Sequence, residues 1–328
     1  MPDAVIVRLP NWLGDTVMAV PALAALRRGL PAARLGAAGP WASLLAGQGL
    51  ADVLVTYPRT WTGRLRTADA VRALDATTAV LLPNSFEAAA SALYWGARRR
   101  VGFGSGGRRA LLTDAPPLPS PRRHQVDEYL ALVERLGVPA GDRTPRLAPP
   151  AVDSPERAQA RALLEEVGAD HRPRVGLHLG AAFGPSKLWP VERMAELAHL
   201  LRDGGRTPVL LGAPSDADVA ARIAGSVVVA SLVGRDSPGL LPAVLAELDA
   251  VVCGDTGVGH LAAALGTPVV ALFGPTDPRL TAPRGPATVV SRPTPCAPCF
   301  YRECPIDHPC LRGIPAGEVA ARLVDLGV

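Results

Sequence analysis

One segment of the chain combines glycine with groups that could bind phosphate and follows a buried apolar run. Residues 253–260 read Cys-Gly-Asp-Thr-Gly-Val-Gly-His. Thr256 and Gly257 stand where a helix begins, so backbone amides there would point at an anion and the helix dipole would favour negative charge. His260 follows about one turn later, and Asp255 is suited to capping the helix, orienting a sugar hydroxyl, or both. The pattern predicts an anion site that the His260 ring could also face; the alternative is that His260 is a buried core residue.

A second glycine-bearing loop carries the one lysine of the chain. Residues 178–190 read His-Leu-Gly-Ala-Ala-Phe-Gly-Pro-Ser-Lys-Leu-Trp-Pro, and Lys187 is the single lysine among 34 basic residues. A compact ammonium beside Ser186, just before a helix, could hold a diphosphate where an arginine fork would not fit. The Gly-Lys-Ser/Thr ending of a Walker loop is missing. The alternative is an ordinary long loop between a strand and a helix.

Two further segments follow strands. Residues 8–15 read Arg-Leu-Pro-Asn-Trp-Leu-Gly-Asp, so that Asp15 could accept a proton from an attacking hydroxyl, serve as a helix N-cap, or do both. Residues 273–278 read Phe-Gly-Pro-Thr-Asp-Pro, after what the pattern indicates as the last parallel strand. Thr276 and Asp277 there could contact a sugar or phosphate, or form a structural turn.

The elements that must position these groups alternate between strand and helix in both halves of the chain. Predicted strands are 4–9, 34–38, 53–57, 79–83, 100–103, 174–179, 208–211, 227–230, 250–253 and 269–273. Predicted helices include 15–30, 156–167, 191–202, 216–224, 240–247, 257–265 and 316–326. Strands spaced by helices favour parallel sheets with right-handed crossovers. The fold class is therefore α/β, with two doubly wound, Rossmann-like domains expected to face each other across a cleft.

The domain boundaries follow from composition. Residues 141–156 are rich in proline and are predicted to be a linker. Residues 1–140 form one Rossmann-like domain, residues 157–312 form a second that ends in a cysteine-rich tail, and residues 313–328 form a C-terminal helix. The chain has 328 residues, which suits two domains.

Composition narrows the partners and the compartment. A net charge of +4 and an aromatic content of 4% argue against nucleic acid. No apolar run reaches the roughly 18 residues of a membrane span, and the first residues lack a secretory pattern, so a cytoplasmic protein is expected. Arginines cluster between residues 98 and 123. They indicate either a solvated surface or a peripheral contact with an anionic lipid surface.

The cysteines leave two alternatives open. Cys296, Cys299, Cys304 and Cys310 cluster beside His308, but their spacing does not match the paired zinc template. A structural metal site and free or redox-responsive thiols remain the alternatives, and neither is assigned the chemistry.

Together these motifs resemble the lipopolysaccharide heptosyltransferases of glycosyltransferase family 9 over nearly the whole chain. Residues 13–15 with 20–23 look like the family's opening loop and helix, and residues 186–190 look like its Lys-x-Trp-Pro element. Residues 255–260, followed by 273–278, look like its Asp-Ser/Thr-Gly-x-x-His and Phe-Gly-Pro signature. The cysteine tail is similar to the subset named heptosyltransferase II.

The resemblance implies a GT-B fold with an acceptor-binding first domain and a donor-binding second domain. It implies transfer of heptose from ADP-L-glycero-D-manno-heptose to the lipid-linked inner core of lipopolysaccharide, at the cytoplasmic face of the inner membrane, with inversion and without a cofactor or catalytic metal. It makes Asp15 the general base and Lys187 a phosphate ligand, with Ser186 beside it. Thr256, Gly257 and His260 would line the diphosphate, Asp255 the sugar, and Asp216 would stand near a position where the family often has Glu.

Two other functions are consistent with the residues. One is a different GT-B nucleotide-sugar enzyme, either a transferase with another donor or an epimerase. The other is a nucleotide-sugar-binding protein without catalytic activity. Release of ADP in the presence of an acceptor separates the proposed transferase from a binding protein.

Overall fold

The computed structural model describes residues 4–58, 60–169, 171, 173–235 and 237–328. The chain divides into two compact units, Met1–Leu147 and Ala148–Val328, and the division falls within the proline-rich stretch 141–156. Residues 1–3, the very start of the sequence considered for a leader, lie outside the described residues. No helix in the described ranges is long and apolar enough to span a membrane.

The first unit is built on a parallel sheet. Its strands are β1 (Ala4–Arg8), β2 (Arg34–Gly39), β3 (Val53–Thr56), β4 (Thr78–Leu81) and β5 (Arg99–Val101). They lie in the order β3-β2-β1-β4-β5, and all pairs are parallel. The chain adds strands first on one side of β1 and then on the other. The switch point therefore lies between β1 and β4, and ligands of such sheets bind beyond the carboxyl ends of the strands at that point.

The helices of the first unit begin directly after β1. They are α1 (Leu13–Met18), α2 (Val20–Gly29), α3 (Trp61–Arg72), α4 (Phe86–Tyr94) and α5 (Gln125–Glu134). The single helix predicted over residues 15–30 is wrong, because the chain forms two helices separated by Ala19. Pro21 explains the break, since it has no N–H to donate to the carbonyl four residues earlier.

The second unit has a larger parallel sheet. Its strands are β6 (Arg174–His178), β7 (Thr207–Leu211), β8 (Ala230–Ser231), β9 (Ala250–Gly254), β10 (Val269–Phe273) and β11 (Ala287–Ser291). Their order is β11-β10-β9-β6-β7-β8, again all parallel. The expectation of two doubly wound parallel-sheet domains is thus confirmed.

Two strands differ from the prediction. The strand predicted over residues 227–230 is placed wrongly, because the pairing with β7 is made by Ala230 and Ser231 while Val228 is 73% exposed. Strand β11 was not predicted, so residues 273–278 do not follow the last parallel strand. An edge strand with only Val290 buried lacks the continuous apolar run that marks a central strand.

Helices pack around the second sheet and share a hydrophobic core with it. The helices are α6 (Pro155–Glu166), α7 (Val191–Asp203), α8 (Ala217–Ala224), α9 (Leu241–Ala246), α10 (Gly257–Ala264), α11 (Pro278–Thr281), α12 (Pro309–Arg312) and α13 (Ala316–Asp325). The C-terminal α13 packs against α7 and buries Val319 and Leu323 in the same core as β6 and β10.

The strand order decides which loops can share a site. Strand β9 lies between β6 and β10, and the switch point of this sheet lies between β6 and β9. Because all three strands are parallel, their carboxyl ends reach the same edge. The loops after β6, β9 and β10, which carry Lys187, Asp255 and Thr276, must therefore meet there.

Candidate active site

An ion pair stands at the carboxyl edge of the second sheet. Lys187 Nζ donates to Asp255 Oδ2 at 2.5 Å and to the Asp255 carbonyl at 3.2 Å. The two side chains are only 12% and 8% exposed. An ammonium has three N–H bonds, and two of them are directed at Asp255.

Thr276 completes this cluster from the third loop. Its hydroxyl donates to the same Asp255 Oδ2 at 2.8 Å, and the bond is buried. The sequence was consistent with either a ligand contact or a structural turn at Thr276. The structure places its hydroxyl against the Asp255 carboxylate. Asp277 instead caps α11, where its carboxylate accepts from the Arg279 amide at 2.9 Å.

A glycine allows the loop that carries Lys187, residues 179–190 and here called the lysine loop, to approach the sheet. Residues Pro185–Lys187 form a short 3-10 helix, and the carbonyl of Lys187 lies against Gly254 at the end of β9. A Cβ at Gly254 would stand 2.6 Å from that carbonyl oxygen, well inside contact distance. Only glycine at position 254 permits this close approach.

The amino terminus of α10 lies directly beside the ion pair. The helix begins at Gly257, and Thr256 precedes it with extended backbone angles and without capping the helix through its side chain. The Thr256 side chain therefore accepts no hydrogen bond from the first amides of α10, and the helix dipole favours an anion at this end. His260, in the first turn, is buried with 5% exposure. This agrees with the geometry expected from residues 255–260.

An aromatic ring that the sequence analysis did not single out lies next to Lys187. The Phe183 ring has Lys187 Nζ 4.7 Å and the Arg302 guanidinium carbon 5.5 Å from its centroid. Such contacts stabilise cations over a π face. The signal in the sequence is slight, a lone aromatic residue between two glycines of the loop.

Two predicted donor residues already have partners within the protein. Ser186 is 1% exposed, and its hydroxyl donates to the Tyr301 carbonyl at 2.6 Å. Asp216 stands before α8, where its Oδ2 accepts from the Ala213 amide at 2.8 Å. Asp216 also packs against Gly180 in the loop after β6, so it lies at the same edge of the sheet.

His178 is the last residue of β6 and directly precedes the loop that carries Lys187. Burial lowers the pKa of its imidazole to about 4. Its Nδ1 is buried and has no hydrogen-bond partner among the described residues. His178 is therefore neutral at pH 7.

In the first unit, Asp15 follows β1 at the switch point. The N-cap interpretation is wrong, because α1 starts at Leu13 with Trp12 as its N-cap, and Asp15 is the third helical residue. The first backbone hydrogen bond of the helix runs from the Thr16 amide to the Trp12 carbonyl at 3.0 Å, which makes Trp12 the N-cap. Burial, and then the charge of Asp15, raises the pKa of Tyr129 well above its usual value. The charge of Asp15 therefore acts on a buried phenol of α5.

A buried arginine network at the end of β1, ahead of Asp15 in the sequence, was not predicted. Arg8, at the end of β1, is fully buried and donates to Asn11 Oδ1 at 2.9 Å and to Glu87 Oε2 at 3.3 Å. Glu87 also pairs with Arg64 of α3 at 3.3 Å. The network fixes the loop between β1 and α1 that precedes Asp15. The network is hard to predict from the sequence, because Arg8 ends an otherwise apolar strand and its partner Glu87 lies 79 residues away.

The cysteine-rich tail contains free thiols. The four cysteines of the tail, like Cys253 in β9, form no disulfides. Cys310 is buried against Gly274. Within the described ranges, no three histidine, cysteine or acidic side chains are placed to share a metal ion.

Comparison with known proteins gives a consistent picture. The family model of glycosyltransferase family 9 (heptosyltransferase) matches residues 64–309. A lipooligosaccharide heptosyltransferase 2 of Haemophilus ducreyi is 30% identical over 302 residues, covering 86% of this chain and 86% of that protein. The lipopolysaccharide heptosyltransferase 2 of Escherichia coli K12 is 29% identical over 290 residues, covering 84% and 83%.

A solved structure is similar over almost the full length. The ADP-heptose lps heptosyltransferase II of Escherichia coli superposes with a TM-score of 0.82 at 27% identity, covering 98% of each chain.

Proposed function

Since the chain belongs to glycosyltransferase family 9, the heptosyltransferases, we propose that it transfers heptose from ADP-L-glycero-D-manno-heptose to the inner core of lipopolysaccharide. The similar Escherichia coli structure is described as an ADP-heptose enzyme, which supports this donor. The expected reaction inverts the anomeric centre. The enzyme is a glycosyltransferase whose two GT-B-like domains are the two units of the chain.

The observation that carries the proposal is the cluster of Lys187, Asp255 and Thr276 beside the start of α10. The third N–H of Lys187 and the amides after Thr256 supply donors and positive potential for the diphosphate. As the glycosidic bond breaks, negative charge develops on the departing ADP. Donors that are already fixed in place stabilise that charge without reorganisation.

The remaining donor roles follow from position. Gly257 and His260 of α10 contact the diphosphate in this proposal, and the Asp255 carboxylate orients a sugar hydroxyl. Asp216 stays a prediction as a donor ligand, whereas the predicted Ser186 hydroxyl already donates to the Tyr301 carbonyl. Asp216 would contact the ribose or the heptose from the start of α8. The second unit is accordingly the donor domain, and the first unit is the acceptor domain.

Asp15 is the proposed general base. The acceptor hydroxyl attacks the anomeric carbon on the face opposite the diphosphate, and its proton passes to the Asp15 carboxylate. One C–O bond forms, the bond to the diphosphate oxygen breaks, and ADP leaves with the electron pair. A positioned base typically contributes about 10²- to 10⁴-fold to the rate.

The acceptor is carried by a lipid, which gives the arginine cluster a role. Arg98, Arg99, Arg122 and Arg123 are exposed on the first unit, and we propose that they contact the anionic cytoplasmic face of the inner membrane. Binding to vesicles with and without anionic lipid tests this contact.

The function is tested by incubating the purified protein with ADP-heptose and a heptose-deficient core acceptor. We expect release of ADP that depends on the acceptor, and NMR of the product should show an inverted anomeric linkage. Release of ADP that is independent of acceptor, or transfer of a sugar only from another nucleotide, would overturn the proposal.

A further inference from the structure

The segment that follows β11 is bound to the loop that carries Lys187. Ser186 Oγ donates to the Tyr301 carbonyl at 2.6 Å, and the Ser186 amide donates to the Arg302 carbonyl at 3.1 Å. Ser186 is buried, whereas Tyr301 is 60% exposed. A surface segment 115 residues away in sequence therefore holds the residue next to Lys187 through two hydrogen bonds.

The same segment is bound to the loop that carries Thr276. The amides of Cys299 and Phe300 both donate to the Pro275 carbonyl, at 3.0 and 2.8 Å. Pro275 is buried and immediately precedes Thr276, whose hydroxyl donates to Asp255. Both loops that contact Asp255 are thus fixed by one stretch of chain.

Further contacts join Arg302 to the loop that carries Lys187. Arg302 lies over the same Phe183 ring that Lys187 contacts. Gly184 permits the approach, because its φ is +151° and a Cβ there would stand 2.6 Å from the Arg302 carbonyl oxygen. The contacts form a closed ring that runs from Asp255 through Lys187, Ser186, the tail and Thr276 back to Asp255.

We propose that residues 299–302, here called the brace, position Lys187 and Thr276 around Asp255, and that Ser186 is a positioning residue that acts through Lys187. The inference rests on the proposed function, because it takes Lys187 as a ligand of the donor diphosphate. The single hydroxyl proton of Ser186 is used on the Tyr301 carbonyl, which leaves it none to donate to a phosphate. Ser186 therefore aligns the ammonium and does not bind the anion.

A double-mutant cycle on ADP binding tests the brace. ADP affinity is measured by calorimetry for the wild type, Ser186→Ala, Lys187→Ala and the double variant. We expect Ser186→Ala to weaken ADP binding about three- to tenfold, the range that one lost neutral hydrogen bond gives. In the Lys187→Ala background the same change should have an effect of less than about twofold, because Ser186 acts through Lys187.

A second variant disturbs the contact between Gly184 and Arg302. Gly184→Ala places a Cβ against the Arg302 carbonyl, and it should weaken ADP binding with the same dependence on Lys187. Gly205→Ala is the matched control, because Gly205 also has a positive φ of +73° but a Cβ there meets no described atom within 4 Å. It should lower the melting temperature and leave ADP affinity unchanged.

The outcomes separate the brace from the proposed function. A wild type that fails to bind ADP overturns the proposed function, and the brace with it. A wild type that binds ADP, with Ser186→Ala equally harmful in the presence and absence of Lys187, overturns the brace alone. The same holds if Ser186→Ala and Gly184→Ala both bind ADP as tightly as the wild type.

Discussion

Lys187 and Asp255, which are 68 residues apart in sequence, form a largely buried ion pair with 2.5 Å between Nζ and Oδ2. A buried pair of this kind does little by itself for stability, since desolvation offsets the attraction. Its value lies in fixing the ammonium at the amino terminus of α10. The lysine is ordered there before any donor arrives, so binding does not have to order it.

Replacing Lys187 by alanine should weaken ADP binding about 10- to 100-fold, the range for a lost hydrogen bond to a charged group. The melting temperature should also fall, because the buried Asp255 side chain loses its partner in the ion pair. Calorimetric titration with ADP below that temperature measures the effect.

Arg202→Ala is the matched control for the loss of one positive charge. Arg202 is exposed near the end of α7 and donates to the Val228 carbonyl, away from the carboxyl edge of the sheet. Unchanged ADP affinity in Lys187→Ala would remove the lysine from the donor site.

Replacing Asp15 by asparagine should lower turnover about 10²- to 10⁴-fold, because the amide cannot take the proton of the acceptor hydroxyl. ADP affinity should stay within about twofold of the wild type, since the donor contacts are all proposed in the second unit. Asp142→Asn, at an exposed carboxylate that accepts from Thr144 and Arg146 of its own loop, serves as the control. A parallel loss of rate and ADP affinity would argue against Asp15 as the base.

Gly254→Ala should weaken ADP binding and lower the melting temperature together. The added Cβ would overlap the Lys187 carbonyl, so either the lysine loop or β9 has to move. Gly239→Ala is a suitable control, because a Cβ at Gly239 meets no described atom within 4 Å. If Gly254→Ala binds ADP normally, the fit of the lysine loop against β9 does not matter for the donor.

The low pKa of His178 predicts a loss of stability in acid. Its pKa is about 4 in the folded protein and about 6.5 in the unfolded chain, so the unfolded state binds the proton more readily. The free energy of unfolding should therefore be unaffected above pH 6.5 and fall as the pH drops from 6.5 to 4, by up to about 3 kcal/mol.

His178→Gln removes this titration, so urea unfolding of both proteins between pH 7 and 4.5 isolates it. The wild type should lose more stability than the variant over that range. Equal losses would show that His178 does not carry the effect.

Much of the site could be predicted because its residues follow strands. Parallel strands bring their carboxyl ends to one edge, so the loops that carry Lys187 and Asp255 could both be assigned to a donor site from the sequence. The start of α10 was equally visible, because glycine and threonine after an apolar run mark a helix terminus.

Other features depend on contacts that local sequence does not encode. The partner of Ser186 lies in an irregular segment 115 residues later. Strand β11 is a half-exposed edge strand, and Arg8 is kept buried by Asn11 and Glu87 from other elements. Asp15 lies in the first turn of α1, a position that acidic residues favour as they do the N-cap, so the local sequence did not distinguish the two.

The central claim is that the ion pair beside α10 holds the diphosphate of the donor. A crystal structure of the protein with ADP tests this most directly. We expect the β-phosphate within hydrogen-bond distance of Lys187 Nζ and of the first amides of α10, with the Lys187–Asp255 pair retained. ADP bound elsewhere on the chain, with no phosphate oxygen near Lys187, would contradict it.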